Sequence, residues 1–139
     1  MGEHVLDALK SIEWYRFRVS YVLLFGSMVD RIGRDIDLAI KFTGKPSLDE
    51  IGDILDTVSQ VTGYPVESID IVVLNREELP CELVYQIYCR NKPLYIRDWN
   101  EYIDDYVRWI KLCYDYEIML RKNRVLETAL EVIKRRWGL

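Results

Sequence analysis

Apolar and polar positions fall into blocks along this chain, and each block predicts an element. From Glu3 to Phe17, Val5, Leu9, Ile12 and Arg16 recur with one-face helical spacing. Val19 to Phe25 is β-branched, aromatic and apolar, which suits an internal strand buried on both faces. Gly26-Ser27 ends that strand, Met28 to Ile32 predicts a short helix opening at Ser27, and Gly33 breaks it. Asp35 to Phe42 predicts a second strand. Side chains alternate along a strand, so Ile36, Leu38 and Ile40 share the core face. Asp35 and Asp37 share the other, about 6–7 Å apart along the backbone.

Thr43 to Pro46 is a turn, and Ser47-Leu48-Asp49-Glu50 reads as a capping box that opens a helix. Ile51, Ile54, Leu55, Val58 and Thr62 form its stripe, and Gly63 stops it. Pro65 precedes a third strand, Glu67 to Leu74, with Ile69, Ile71 and Val73 on one face and Asp70 on the other. Pro80 suits the first turn of a helix whose stripe is Leu83, Val84, Ile87 and Tyr88. Leu94 to Arg97 is a short strand, placed at an edge because Pro93 cannot donate to a ladder. From Asp98 to Trp137 there is no proline or glycine, and the spacing is helical, as one helix or as two broken near Arg121–Arg124. The order predicts an α+β fold: a small mixed sheet with helices packed on one face. The core spans 1–97, and a helical extension, 98–139, packs on the same domain.

Composition narrows the chemistry. A chain of 139 residues with half its residues apolar can build one hydrophobic core. The net charge of -4 offers no electrostatic argument for nucleic acid, so direct nucleic-acid binding is not expected. Charge is uneven, however: acidic residues cluster over Asp98–Asp105, and Arg121, Lys122, Arg124, Lys134, Arg135 and Arg136 crowd the end. Cys81, Cys89 and Cys113 are an odd count without CxxC spacing, which argues for buried thiols in a reducing cytoplasm and against a disulfide framework. His4 is the only histidine, so neither a His-based metal site nor a Ser-His-Asp triad can form. The longest apolar run is too short to span a bilayer and no secretory signal is visible, so a cytoplasmic protein without a membrane partner is expected.

Two carboxylates side by side repel each other, but they hold a hard divalent cation such as Mg²⁺ well. Asp70, from a separate strand, would add a third carboxylate at the same rim. Gly26 and Ser27 can present backbone N–H groups and a hydroxyl to an anion. Metal beside phosphate is the chemistry of phosphoryl or nucleotidyl transfer, with the third carboxylate accepting the proton of an incoming hydroxyl.

On Leu24-Phe25-Gly26-Ser27, Asp35-Ile36-Asp37-Leu38-Ala39-Ile40 and Ile69-Asp70-Ile71-Val72, the chain resembles the minimal nucleotidyltransferase family of the DNA polymerase β-like superfamily. Pro93 to Asp98 and Tyr114-Asp115-Tyr116 resemble the tail of members paired with HEPN-domain proteins. The resemblance implies a polymerase β-like fold, with Asp35, Asp37 and Asp70 as Mg²⁺ ligands and catalytic carboxylates. It implies Gly26 and Ser27 as the holders of the ATP triphosphate. Paired members are similar to antitoxins that transfer AMP from ATP to a tyrosine of a HEPN toxin. The connector Met28–Arg34 has seven residues, shorter than is usual in the family. That departure leaves an alternative: a non-catalytic antitoxin that neutralises its partner by complex formation. Aromatic residues around the last helix (Trp99, Tyr102, Tyr106, Trp109, Tyr114 and Tyr116) mark an interface, or are covered within the monomer or by a homodimer.

Overall fold

The computed structural model of the chain describes residues 2–30 and 33–138. Its elements are α1 (Gly2–Ser11), β1 (Val19–Phe25), β2 (Ile36–Phe42), α2 (Leu48–Thr62), β3 (Ile69–Val73), α3 (Cys81–Cys89), β4 (Lys92–Ile96) and α4 (Trp99–Trp137). The sheet order is β3-β2-β1-β4. β1 runs antiparallel to β2 and β4, whereas β2 and β3 are parallel, so the sheet is mixed. The predicted α+β class and the edge position of the strand after Pro93 both hold.

Helices cover both faces of this sheet, not one. Val22, Leu24, Leu38 and Ile40 pack with Leu9 of α1 and Ile54 and Val58 of α2. Tyr21, Leu23, Phe25 and Ala39 pack on the opposite face with Val84 and Ile87 of α3 and Tyr102 and Trp109 of α4. A strand whose seven residues are all buried, as β1 is, requires cover on both sides.

α1 is shorter than its periodicity predicts. Past Ser11 the chain tightens into a 3₁₀ turn, Trp14–Arg16, which buries Trp14 and directs its indole N–H to the Leu9 carbonyl at 3.0 Å. Continuing the helix would have put Arg16 on the core face instead. A second 3₁₀ turn, Gly26–Val29, follows β1, and the predicted end of that turn at Ile32 lies outside the described residues. Ser47 caps α2 by accepting the Glu50 N–H at 3.1 Å, and Gly63 ends it at φ 78°. Glu50 does not complete the box: its carboxylate meets Arg18 at 3.4 Å.

α4 is one continuous helix of 39 residues. It is anchored on the sheet by a buried carboxylate, Asp105, which accepts from Lys41 Nζ at 2.6 Å and from the Tyr21 hydroxyl at 3.0 Å. Tyr21 in turn shares a hydrogen bond with Tyr88 at 2.8 Å. Burial raises the ionisation of both phenols well above its ordinary range, so they stay neutral and serve as hydrogen-bonding groups. The expectation of unpaired thiols fails at two positions. Cys81, at the start of α3, is disulfide-bonded to Cys113 of α4, with 5.5 Å between their Cα atoms, and Cys89 alone is free. The odd count concealed a pair that only tertiary packing brings together. Among the described residues, no helix is long and apolar enough to cross a membrane.

Candidate active site

Asp37 occupies the second position of β2, and Asp70 the second position of β3. The two strands run parallel with Asp37 opposite Asp70, so both carboxyls project from the same end of the sheet. Parallel neighbours lie about 4.8 Å apart, which forces the two acids together. Asp37 is raised above the ordinary carboxylate range by burial first, then by the charges of Asp70 and Asp35. A hydrogen bond with Asp70 favours the protonated form further. Asp35 is not a strand residue as expected: β2 begins at Ile36, and Asp35 stands exposed on the bend before it. It is close enough for its charge to be felt by Asp37, but it is not part of the pair.

Gly26 sits directly against this pair. Its φ of 79° is a left-handed conformation, and a Cβ added there would collide with Asp37 Oδ2. The end of β1 and the start of β2 are paired at Phe25 and Asp37, so the Gly-Ser turn is held over the carboxylates by the ladder itself. The connector folds back on the same turn. A Cβ on Gly33 would strike Ser27 Oγ, and the Tyr64 hydroxyl donates to the Gly33 carbonyl at 3.0 Å. Arg31 lies outside the described residues.

Beside Gly26 and Ser27 opens a cleft of about 500 Å³, walled on its other side by Asp30, Gln86 and Arg90. Arg90, just past α3, pairs with Asp30 at 2.9 Å. Gly33, Tyr64, Gln86 and Arg90 are absent from the sequence-derived site. Nothing in their local spacing marks them: Gln86 and Arg90 reach the cleft only through the packing of α3 on the sheet, and Tyr64, just past α2, reaches the connector at Gly33. Gly33 alone carried a signal, as the residue that breaks the connector.

Among the described residues, no three His, Cys, Asp or Glu side chains stand together in a metal-binding arrangement. The donor chemistry nonetheless fits a hard cation. Asp37 and Asp70 are oxygen donors whose mutual repulsion a divalent ion would relieve, and Asp35 adds negative charge at the rim. The cleft beside them offers the Ser27 hydroxyl, the Gln86 amide and the Arg90 guanidinium to an anion, which would compete with Asp30 for Arg90.

The family model for polymerase β nucleotidyltransferases matches residues 8–100, most of the chain and all four strands. The chain belongs to the polymerase β-type nucleotidyltransferase family. Among solved structures, it is similar to a chain of the complex of tri-AMPylated Shewanella oneidensis HEPN toxin with MNT antitoxin. That likeness has a TM-score of 0.62 at 16% identity and covers 92% of this chain and 98% of the other. A toxin-antitoxin structure with AMP-PNP gives a TM-score of 0.57 at 16% identity, covering 91% and 97% of the two chains. A mutant MntA complex carrying two Asp-to-Glu substitutions gives 0.58 at 15%, covering 92% and 98%. At these identities the likeness establishes a shared fold, and at this coverage it reaches into α4. No protein of curated function matches the chain significantly.

Proposed function

We propose that this nucleotidyltransferase transfers AMP from ATP to a hydroxyl, that of a tyrosine, on a HEPN-type toxin in the cytoplasm, and so acts as its antitoxin. The observation that carries the reading is the in-register pair Asp37 and Asp70 beneath the Gly26-Ser27 turn. Family membership supports it, as does the likeness to toxin-antitoxin complexes, one with a tri-AMPylated HEPN toxin and one with AMP-PNP.

In this reading the triphosphate enters the cleft, where Ser27, the backbone N–H groups of its turn and Arg90 hold the β- and γ-phosphates. Asp37, Asp35 and Asp70 would hold Mg²⁺, which supplies neutralisation of charge on the phosphates. The acceptor oxygen attacks the α-phosphorus, the bond from that phosphorus to the bridging oxygen breaks, and pyrophosphate leaves. Asp70, the exposed member of the pair, receives the acceptor's proton. Asp37, half-buried and charge-stressed, is the member that gains most from a cation.

The test is transfer of labelled AMP from ATP and Mg²⁺ to a co-encoded HEPN protein. Labelled toxin is expected with wild type and none with Asp37→Asn; an unlabelled toxin beside an ATP-binding wild type overturns the reading. The seven-residue connector favours a second reading, neutralisation by binding alone. Under it, Asp37→Asn still protects cells from the toxin.

A further inference from the structure

α4 outruns the domain it anchors. Its buried residues are Tyr102, Asp105, Trp109 and Cys113, and from Met119 to Gly138 every residue is exposed. Glu117 still meets Tyr85 of α3, so the part from Met119 onward projects about 29 Å from the body. A solvated spur of that length would be expected to be polar all round. It is not: Leu126 is 62% exposed, Ile133 50% and Trp137 74%.

These residues are ordered. From Leu112 to Trp137 the chain steps alternately by four and three residues, and every position so reached is apolar except Asn123. That is a coiled-coil seam, the pattern of a helix that packs along another helix of the same kind. Traced backwards, the seam runs into Trp109, Asp105 and Tyr102, the face of α4 that lies on the domain. Each globular body therefore stands on the seam side of its own helix. Two copies packed parallel and in register would drive their bodies into each other, whereas an antiparallel pair puts them at opposite ends.

We propose that the seam of α4 is covered by a second copy of this chain, packed antiparallel, with Trp137 and the basic last turn of each copy seated against the other's domain. In the register that uses the whole seam, Leu112 faces the second copy's Trp137, Tyr116 its Ile133, Met119 its Leu130, and Asn123 its Leu126. Leu112 and Tyr116 line an open groove of about 680 Å³ between α4 and the loop before α3, a receptacle for an aromatic side chain. The charges agree. Two acids and one base, Glu77, Glu78 and Arg76, line the groove, a net negative mouth for the turn of Lys134, Arg135 and Arg136 that would enter it. Along the flank, Asp115 meets Arg136 of the second copy, twice by symmetry, and Lys122 faces Ala129, so no like charges oppose. The inference does not depend on the transfer reaction, because it uses none of the site's residues.

Sedimentation of the full chain tests it. Wild type is expected at twice 16.6 kDa at micromolar concentration, and Leu126→Asp with Leu130→Asp as a monomer with unchanged domain melting. Arg136→Asp should weaken dimerisation about tenfold, and adding Asp115→Arg to the same chain should restore it. In a Cys89→Ser background, Met119→Cys chains should cross-link to Leu130→Cys chains and not to themselves. A monomeric wild type would overturn the proposal, as would a charge swap that fails to restore association. So would self-cross-linking of Met119→Cys, the signature of a parallel pair.

Discussion

Asp37 and Asp70 stand opposite each other on adjacent parallel strands, two acids in one register position with Gly26 pressed against the first. Burial and like charge lift Asp37, so the folded chain holds that proton more tightly than the unfolded chain does. The stability this brings is complete below the unfolded carboxylate's range and fades as pH rises through the lifted value. Asp37→Asn should therefore abolish transfer while raising neutral-pH stability by a few tenths to about 1 kcal/mol. Urea melts at pH 5 and pH 8 check this: the gap between wild type and variant should widen at the higher pH. Mg²⁺ should narrow it by stabilising wild type alone.

Gly26→Ala meets two obstacles at once, a left-handed backbone and the Asp37 carboxylate. A loss of about 1–3 kcal/mol is expected. Since the clash displaces the turn over the carboxylates, nucleotide affinity should fall with it, as titration calorimetry with a non-hydrolysable ATP analogue would show.

Arg90 and Asp30 are both largely exposed, so their ion pair contributes little to folding. Arg90→Ala should leave the melting temperature nearly unchanged. Nucleotide affinity should drop about tenfold or more, because a charge-assisted contact to phosphate is lost. The same titration measures it.

The Cys81–Cys113 bridge closes a loop of 32 residues between α3 and α4. Cross-linking a loop of that size is worth about 3–4 kcal/mol through the unfolded chain. Cys81→Ser, or wild type in excess reductant, should unfold at correspondingly lower denaturant. Thiol titration of the denatured, unreduced protein should count one free cysteine.

Asp105→Ala leaves the Lys41 ammonium and the Tyr21 hydroxyl without their shared acceptor in the interior. A destabilisation of about 2–4 kcal/mol is expected from chemical denaturation. Asp105→Asn, which keeps an acceptor, should recover part of it.

Much of the fold was legible because its signals are local. The apolar block Val19–Phe25 became β1 residue for residue, and Ser47 and Gly63 bracket α2 as their chemistry requires. The faces that Asp37 and Asp70 take on their strands were also legible from strand periodicity; that the two acids share one register position follows from the parallel pairing of β2 and β3. What was hidden depends on the third dimension. Trp14 overrode helical spacing by finding a buried site, and Asp35 fell outside the strand by one residue. Cys81 and Cys113 were read by count, which is blind to distance. Arg90, just past α3, reaches the cleft, and Tyr64, just past α2, reaches the Gly33 carbonyl of the connector, and only packing could bring them there.

Among the described residues, β3 forms the outer rail of the sheet, with no strand beyond it. Asp70, exposed on that strand, is reached sideways from solvent. A side chain still attached to a bulky folded acceptor has the clearance to arrive there, and a substrate of protein size needs that approach.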